Sequence, residues 1–144
     1  VRLYATDMNE TVLAQATDGI YPLDSMKEYA ENYLKAGGKR SLAEYCTAQY
    51  DRAIFRGDLK KNIVWAQHNL VTDASFNEFH VILCRNVMIY FDRVLQARVH
   101  KLLYESLATF GLLGLGDKET IKFSPHEACY EELDRAGKWY RRVR

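Results

Sequence analysis

Cysteine is scarce in this sequence: Cys46, Cys84 and Cys129 are all it has. They are widely spaced and odd in number, which excludes a disulfide framework and a CxxC metal pair. A reducing, cytoplasmic setting is the simplest reading. No apolar run approaches the ~20 residues that a bilayer-spanning helix needs, and the N-terminus lacks a signal-peptide pattern. No charge sign is in excess, since 20 Lys and Arg stand against 19 Asp and Glu for a formal charge of +1. That balance lacks the clustered basic surface that non-specific nucleic-acid binding requires. Neither nucleic acid nor membrane insertion is expected.

Several catalytic signatures are missing too. The sequence holds no GxSxG nucleophile elbow and no GxxxxGK[ST] phosphate loop. His68, His80, His100 and His126 stand isolated, with no pair at HxxxH spacing. His100 falls mid-helix on a face that reads as exposed, and His126 follows a proline in a loop. No metal site is expected from them.

What is present suffices for one ordinary domain with a real core: 144 residues, 48% hydrophobic and 27% charged. Val1 to Asp7 reads as a buried strand ending in a carboxylate. Asn9 can cap a helix carrying Val12, Leu13 and Ala16, with Gly19 as its stop. Asp24 or Ser25 can cap a second helix, closed by Gly37 and Gly38. From Ser41 to Gln67 short β-prone pieces (42 to 47, 52 to 55, 62 to 67) suggest a small meander. Phe79 to Cys84 is a continuous apolar strand of the kind buried on both faces. The most secure helix runs from about Asp92 to Thr109, with Asp92 as N-cap, Phe110 on its apolar face and Gly111 as stop. Gly111 to Leu115 reads as another buried strand, and 128 to 133 with 138 to 143 as a terminal hairpin. The basic tail Arg141-Arg142-Val143-Arg144 reads as the solvated face of an edge strand. This order gives an α/β fold with a mainly parallel sheet and one domain over residues 1–144.

Ligands in open α/β sheets bind outside the carboxyl ends of the strands. Asp7, Asn69 with Leu70, and Cys84 with Arg85 all fall at such ends. A carboxylate at position 7 can accept both hydroxyls of a ribose, although it could equally cap the next helix. Asn69 offers a donor and an acceptor to an adenine edge and Leu70 a cover for its face; a turn residue followed by a core residue would look the same. Arg85 can read a carboxylate through its planar fork, or form an ordinary ion pair. Tyr90 adds a rigid wall and a hydroxyl, or a core aromatic.

These positions together resemble the CheR-type chemotaxis receptor methyltransferases. The resemblance is carried by residues 5–9, Gly19-Ile20-Tyr21, His68-Asn69-Leu70, and most specifically Ile82-Leu83-Cys84-Arg85-Asn86-Val87-Met88-Ile89-Tyr90-Phe91-Asp92. Residues 113–119 and Trp139 to Arg142 also fit. It implies a Rossmann-like S-adenosylmethionine-dependent methyltransferase sheet, here partial, with a small antiparallel β-subdomain inserted at about 41–67. It further implies transfer of a methyl group to glutamate side chains on the cytoplasmic region of methyl-accepting chemoreceptors, with S-adenosylhomocysteine as product. Carried over by position, Asp7, Asn69, Leu70, Cys84 and Arg85 would border the cofactor, and Arg85 with Tyr90 would face the incoming carboxylate. In members that use it, the β-subdomain docks a receptor's C-terminal peptide.

Departures from the family pattern are His80 in place of Asp, and Asp117-Lys118 in place of His-Ser. The chain is also expected to start after the family's Gly-rich cofactor loop and amino-terminal helical domain, so that alone it would be inactive. A nitrogen methyltransferase would carry an Asn/Asp-Pro-Pro-aromatic element after the same strand, and residues 85–88 contain no proline. The competing reading from another class is a non-catalytic receptor-binding or signalling module that keeps the methyltransferase fold.

Overall fold

Asn9 caps its helix as the sequence suggests: its Oδ1 accepts from Thr11 N at 2.9 Å and Val12 N at 3.4 Å in the computed structural model, which describes residues 1–144. Helix α1 (Glu10–Asp18) ends at Gly19, whose φ of 67° lies in the left-handed region that closes helices. Lys60 Nζ donates to the carbonyls of Thr17 and Asp18, both at 2.8 Å, so the last acceptors of α1 are covered. Helix α2 (Met26–Lys35) follows a 3-10 turn at Leu23–Ser25 and has Ser25 at its N-cap, without a side-chain hydrogen bond there.

The chain divides into two compact units, Val1–His68 and Asn69–Arg144. In the first, strands β1 (Leu3–Asp7) and β5 (Ile63–Gln67) pair in parallel, from Leu3↔Ile63 to Asp7↔Gln67. Strands β2 (Ile20–Pro22), β3 (Cys46–Gln49) and β4 (Arg52–Phe55) form an antiparallel sheet in the order β2-β4-β3. The meander expected over 41–67 is thus only partly one. Its last piece leaves to pair with β1, β2 joins from outside that span, and Leu42–Tyr45 is a 3-10 turn capped by Ser41. Local β-propensity marked these pieces as strands but could not say which ladder each would join.

The second unit is built on a four-stranded sheet. Strands β6 (Phe79–Cys84), β7 (Leu107–Leu115), β9 (Trp139–Arg142) and β8 (Tyr130–Asp134) lie in the order β6-β7-β9-β8. The β6–β7 pair is parallel and the others antiparallel. Asp134 Oδ1 holds the expected hairpin turn by accepting from Ala136 N and Gly137 N at 2.9 and 3.1 Å. Helix α3 (Arg93–Ser106) is capped by Asp92, whose Oδ1 accepts from Leu95 N at 2.9 Å. Val99, Leu107, Leu113 and Leu115 are fully buried, each stabilising by about 1.5–3 kcal/mol.

Four expectations are corrected here. Helix α3 stops at Ser106, not Thr109, because Leu107 turns extended and pairs with Phe79. Phe110, expected on the apolar face of the helix, instead sits at a bulge with φ 66° and is 69% exposed. Strand β6 is not buried on both faces: it is an edge, with Val81 51% and Leu83 65% exposed while Ile82 and Cys84 face the core. The basic tail does not decorate an edge either, since β9 is internal to the sheet. The Arg142 guanidinium lies over the Tyr104 ring at 4.0 Å and donates to the carbonyls of Tyr104 and Leu107. It thereby supplies the donors that the end of α3 lacks. Arg141 pairs with Glu131 at 2.6 Å.

Candidate functional site

Strand β6 delivers Cys84 and Arg85 to the carboxyl end of the parallel pair and then bends. Asn86 has a left-handed φ of 60° and Val87 returns to the right-handed region with φ −108° and ψ −49°. Such alternation turns successive N–H groups to one side and creates a concavity for an anion. The anion is internal: Glu119, 5% exposed, accepts from Val87 N and Met88 N through Oε1 at 2.9 and 2.7 Å. Its Oε2 accepts from Asn86 N and Gly116 N at 2.9 and 2.7 Å. On the other side Gln96 of α3 donates Nε2 to the carbonyls of Met88 and Phe91, at 3.1 and 3.0 Å.

Arg85 is half exposed and donates one nitrogen to Asp117 Oδ1 at 3.1 Å, with Asp117 itself 82% exposed. Tyr90 closes the 3-10 turn Met88–Tyr90 and is 80% exposed, so it is not a core aromatic. Asn69 makes a turn, its Oδ1 accepting from Val71 N at 3.0 Å and its own N donating to Asp73 Oδ2 at 2.8 Å. Its amide N–H groups take no part in that turn. Leu70 packs partly buried against the core that includes Cys84. These five candidates lie in one unit. Asp7 lies in the other, at the end of β1, where its Oδ1 accepts from Asn9 N at 2.8 Å.

Burial and then the charge of Glu119 push the Cys84 thiol up to about 12. Cys84 is therefore a neutral thiol at physiological pH and no nucleophile. His100, which the sequence placed on an exposed face, is 7% exposed. Burial lowers its pKa, opposed by a backbone hydrogen bond at Thr120 and by the Glu119 charge, and His126 lowers it further. The helical pattern misplaced His100 because the loop 118–124 folds over that side of α3, closing a cleft of about 380 Å³ lined by Met88, Gln96, His100, Glu119 and Ser124. His126 stacks on Tyr104 with ring centroids 4.2 Å apart.

Sequence reasoning missed Glu119 and Gln96 as parts of this site. Glu119 stood inside a matching motif, but nothing in its spacing says that it reaches residues more than 30 positions earlier in the chain. A glycine at 116 was the available signal. A Cβ there would lie 2.4 Å from Asn86 Oδ1 and 2.8 Å from both Asn86 N and Glu119 Oε2, so only glycine admits the carboxylate.

The chain is similar to known proteins over nearly its whole length. The family model for the CheR methyltransferase, SAM binding domain, matches residues 1–135. The Pseudomonas putida KT2440 protein Cher3 is 45% identical over 140 residues, covering 97% of this chain and 51% of that protein. A chemotaxis protein methyltransferase of Borreliella burgdorferi is 34% identical over 125 residues, covering 85% of this chain and 41% of the relative. The chain thus spans about half the length, or less, of these relatives. Among solved structures, the N-methyltransferase NodS of Bradyrhizobium japonicum superposes with a TM-score of 0.55 at 12% identity, over 99% of this chain and 74% of that one. That likeness shows a shared fold, mixed α/β with parallel and antiparallel sheets. The chain belongs to the CheR methyltransferase family, through the SAM-binding domain that gives the family model its name.

Proposed function

We propose that this chain is the cofactor-binding, catalytic part of a methyltransferase that esterifies glutamate side chains on the cytoplasmic region of chemoreceptors. The observation that carries this reading is the state of Arg85. Its guanidinium stands at the mouth of the sheet and already holds a carboxylate, but through one nitrogen and in an exposed pair. Such pairs contribute only about 0–1 kcal/mol. A substrate glutamate offering both oxygens to the fork can displace Asp117 at little cost.

When bound, S-adenosylmethionine supplies a methyl carbon made reactive by a cationic sulfur. Each unit by itself offers groups that suit it. One oxygen of Asp7 is engaged by Asn9, leaving the other for a ribose, and the N–H groups of Asn69 remain for an adenine nitrogen. Leu70 offers an apolar face, and Cys84 lines the strand end as a thiol that does not compete for the methyl group. Glutamate is ionised at neutral pH, so no general base is required. Arg85 and Tyr90 then have one task, to hold the carboxylate in line; positioning is the main source of acceleration when opposite charges cancel in a dry site. The exposed edge of β3, at the end of the order β2-β4-β3, gives an extended receptor peptide a ladder to join. No helix is long and apolar enough to cross a membrane.

The test is Arg85→Ala in the full-length protein. Losing a charge-assisted hydrogen bond of about 1.5–3 kcal/mol at the substrate lowers turnover by about 10- to 150-fold. Stability should fall by about 1 kcal/mol or less, because the pair with Asp117 is exposed. Turnover equal to wild type would remove Arg85 from the reaction. Titration with S-adenosylhomocysteine separates the enzyme from a non-catalytic module: the enzyme binds it and the module does not.

A further inference from the structure

We propose that Glu119 is the positioning residue of the reacting edge, its buried carboxylate fixing where Arg85 and Tyr90 meet the substrate; this rests on the methyl-transfer reading above. Three consecutive amides, those of Asn86, Val87 and Met88, converge on the two oxygens of Glu119 at 2.7–2.9 Å. A fourth, from Gly116, ties the same carboxylate to the end of β7 at 2.7 Å. Asn86 therefore keeps a left-handed φ that most residues avoid, because its neighbours are held on both sides.

The two substrate-facing residues flank this clamp. Arg85 immediately precedes the first clamped amide. Tyr90 N donates to Val87 O at 3.4 Å and Phe91 N to Met88 O at 3.1 Å, so the turn bearing Tyr90 is built on clamped residues. Gln96 takes the carbonyls of that turn while Glu119 takes the amides, which leaves the segment without freedom to rotate. One loop also divides two carboxylates between two tasks. Asp117, exposed, holds Arg85 loosely; Glu119, buried, meets amides rather than an arginine or lysine. Arg85 thus stays available to a substrate while the backbone that carries it does not move.

Glutamine has the shape of glutamate but one acceptor oxygen, and its NH2 would oppose the amide N–H groups now bound to Oε1 or Oε2. Glu119→Gln in the full-length protein therefore breaks the clamp with little change in volume. The expected result is a kcat at least tenfold below wild type, measured at a temperature where the variant is folded. The Arg85 Nε–H and Tyr90 ring signals should shift in NMR spectra together with amides 86–88. Val99→Ala, which opens the core without removing any hydrogen bond of the clamp, is the control for stability alone and should keep kcat within twofold when folded. Glu119→Asp keeps the charge but withdraws it by one methylene, and should fall between wild type and Glu119→Gln; it replaces Glu119→Gln if that variant does not fold. A Glu119→Gln kcat within twofold of wild type, or an equal loss in Val99→Ala, overturns the proposal. Should wild type esterify no glutamate, the methyl-ester reading fails, and the NMR arm decides the clamp. Arg85 and Tyr90 signals that move with amides 86–88 support it; signals that stay in place overturn it.

Discussion

Gly116→Ala adds one methyl group at the most crowded glycine of the second unit. The new Cβ would lie 2.8 Å from Asn86 N and 2.8 Å from Glu119 Oε2, distances that real Cβ atoms essentially never show. The third contact, Asn86 Oδ1 at 2.4 Å, belongs to an exposed side chain that can swing away. The other two cannot yield so cheaply. Asn86 N is backbone, and Glu119 is held by four amides. The loops must part on the Oε2 side, where two hydrogen bonds to a carboxylate are made, each contributing about 1.5–3 kcal/mol. Weakening both, with about 1–3 kcal/mol of overpacking, gives a loss of about 3–4 kcal/mol once non-additivity is allowed for. Urea denaturation measures it, with two alanine controls. Gly57, with nothing within 4 Å of its Cβ, should change by less than about 0.5 kcal/mol. Gly114, whose Cβ meets the exposed Leu83 side chain at 2.8 Å, should cost about 1 kcal/mol. In a Glu119→Ala background the Gly116→Ala cost should shrink, because the obstructing oxygen is gone. A loss under about 1 kcal/mol in the wild-type background, or a fully additive double variant, would refute the packing argument.

Two further outcomes follow from the buried groups. His100 takes up a proton less readily folded than unfolded. Below about pH 6.5 the unfolded chain therefore binds a proton that the folded chain does not, and stability falls with pH; above that value the contribution is fully present. His100→Gln should lose less stability than wild type between pH 7.5 and 5.5, and an equal loss would show that His100 does not set the slope. Cys84, buried and with its thiol pushed up to about 12, should resist thiol reagents at pH 8 until the protein unfolds. Cys46 and Cys129, both half-buried, should be labelled first; modification of all three at one rate would contradict the packing at the end of β6.

Elements whose signals are local were legible in the sequence. Asn9, Gly19, Asp92 and the Asp134 turn each act within four residues of themselves, and each stands where the pattern put it. What the sequence could not decide was pairing. Residues 63–67 have the composition of any short strand, and only contact with Leu3–Asp7 makes them a parallel partner and not part of a meander. Leu107 to Thr109 continue the helical pattern of α3, yet a ladder with β6 overrides it, and Arg142 makes the early stop tolerable by donating to two carbonyls. Val81 and Leu83 are apolar and adjacent to buried residues, but the edge position of β6 leaves them open.

The site divides along the same line. An arginine at a strand end has few uses, an ion pair or a reader of carboxylates, and the structure shows the first of these in its pair with Asp117 at 3.1 Å. Asp117 and Glu119 are chemically alike and two residues apart, so nothing in their order says that one is solvated and the other buried. The difference arises from the bend that begins at Gly116, where Glu119 N donates to Gly116 O at 2.9 Å and turns the Glu119 side chain inward. Asp117, on the outer side of that bend, is left to Arg85. Four amides then make burial of the inner carboxylate affordable, since an ionised group without such partners would cost several kcal/mol. Three of those amides belong to the residues that follow Arg85 and the fourth to Gly116. The carboxylate and the loop it holds therefore stabilise each other, and neither arrangement would persist without the other.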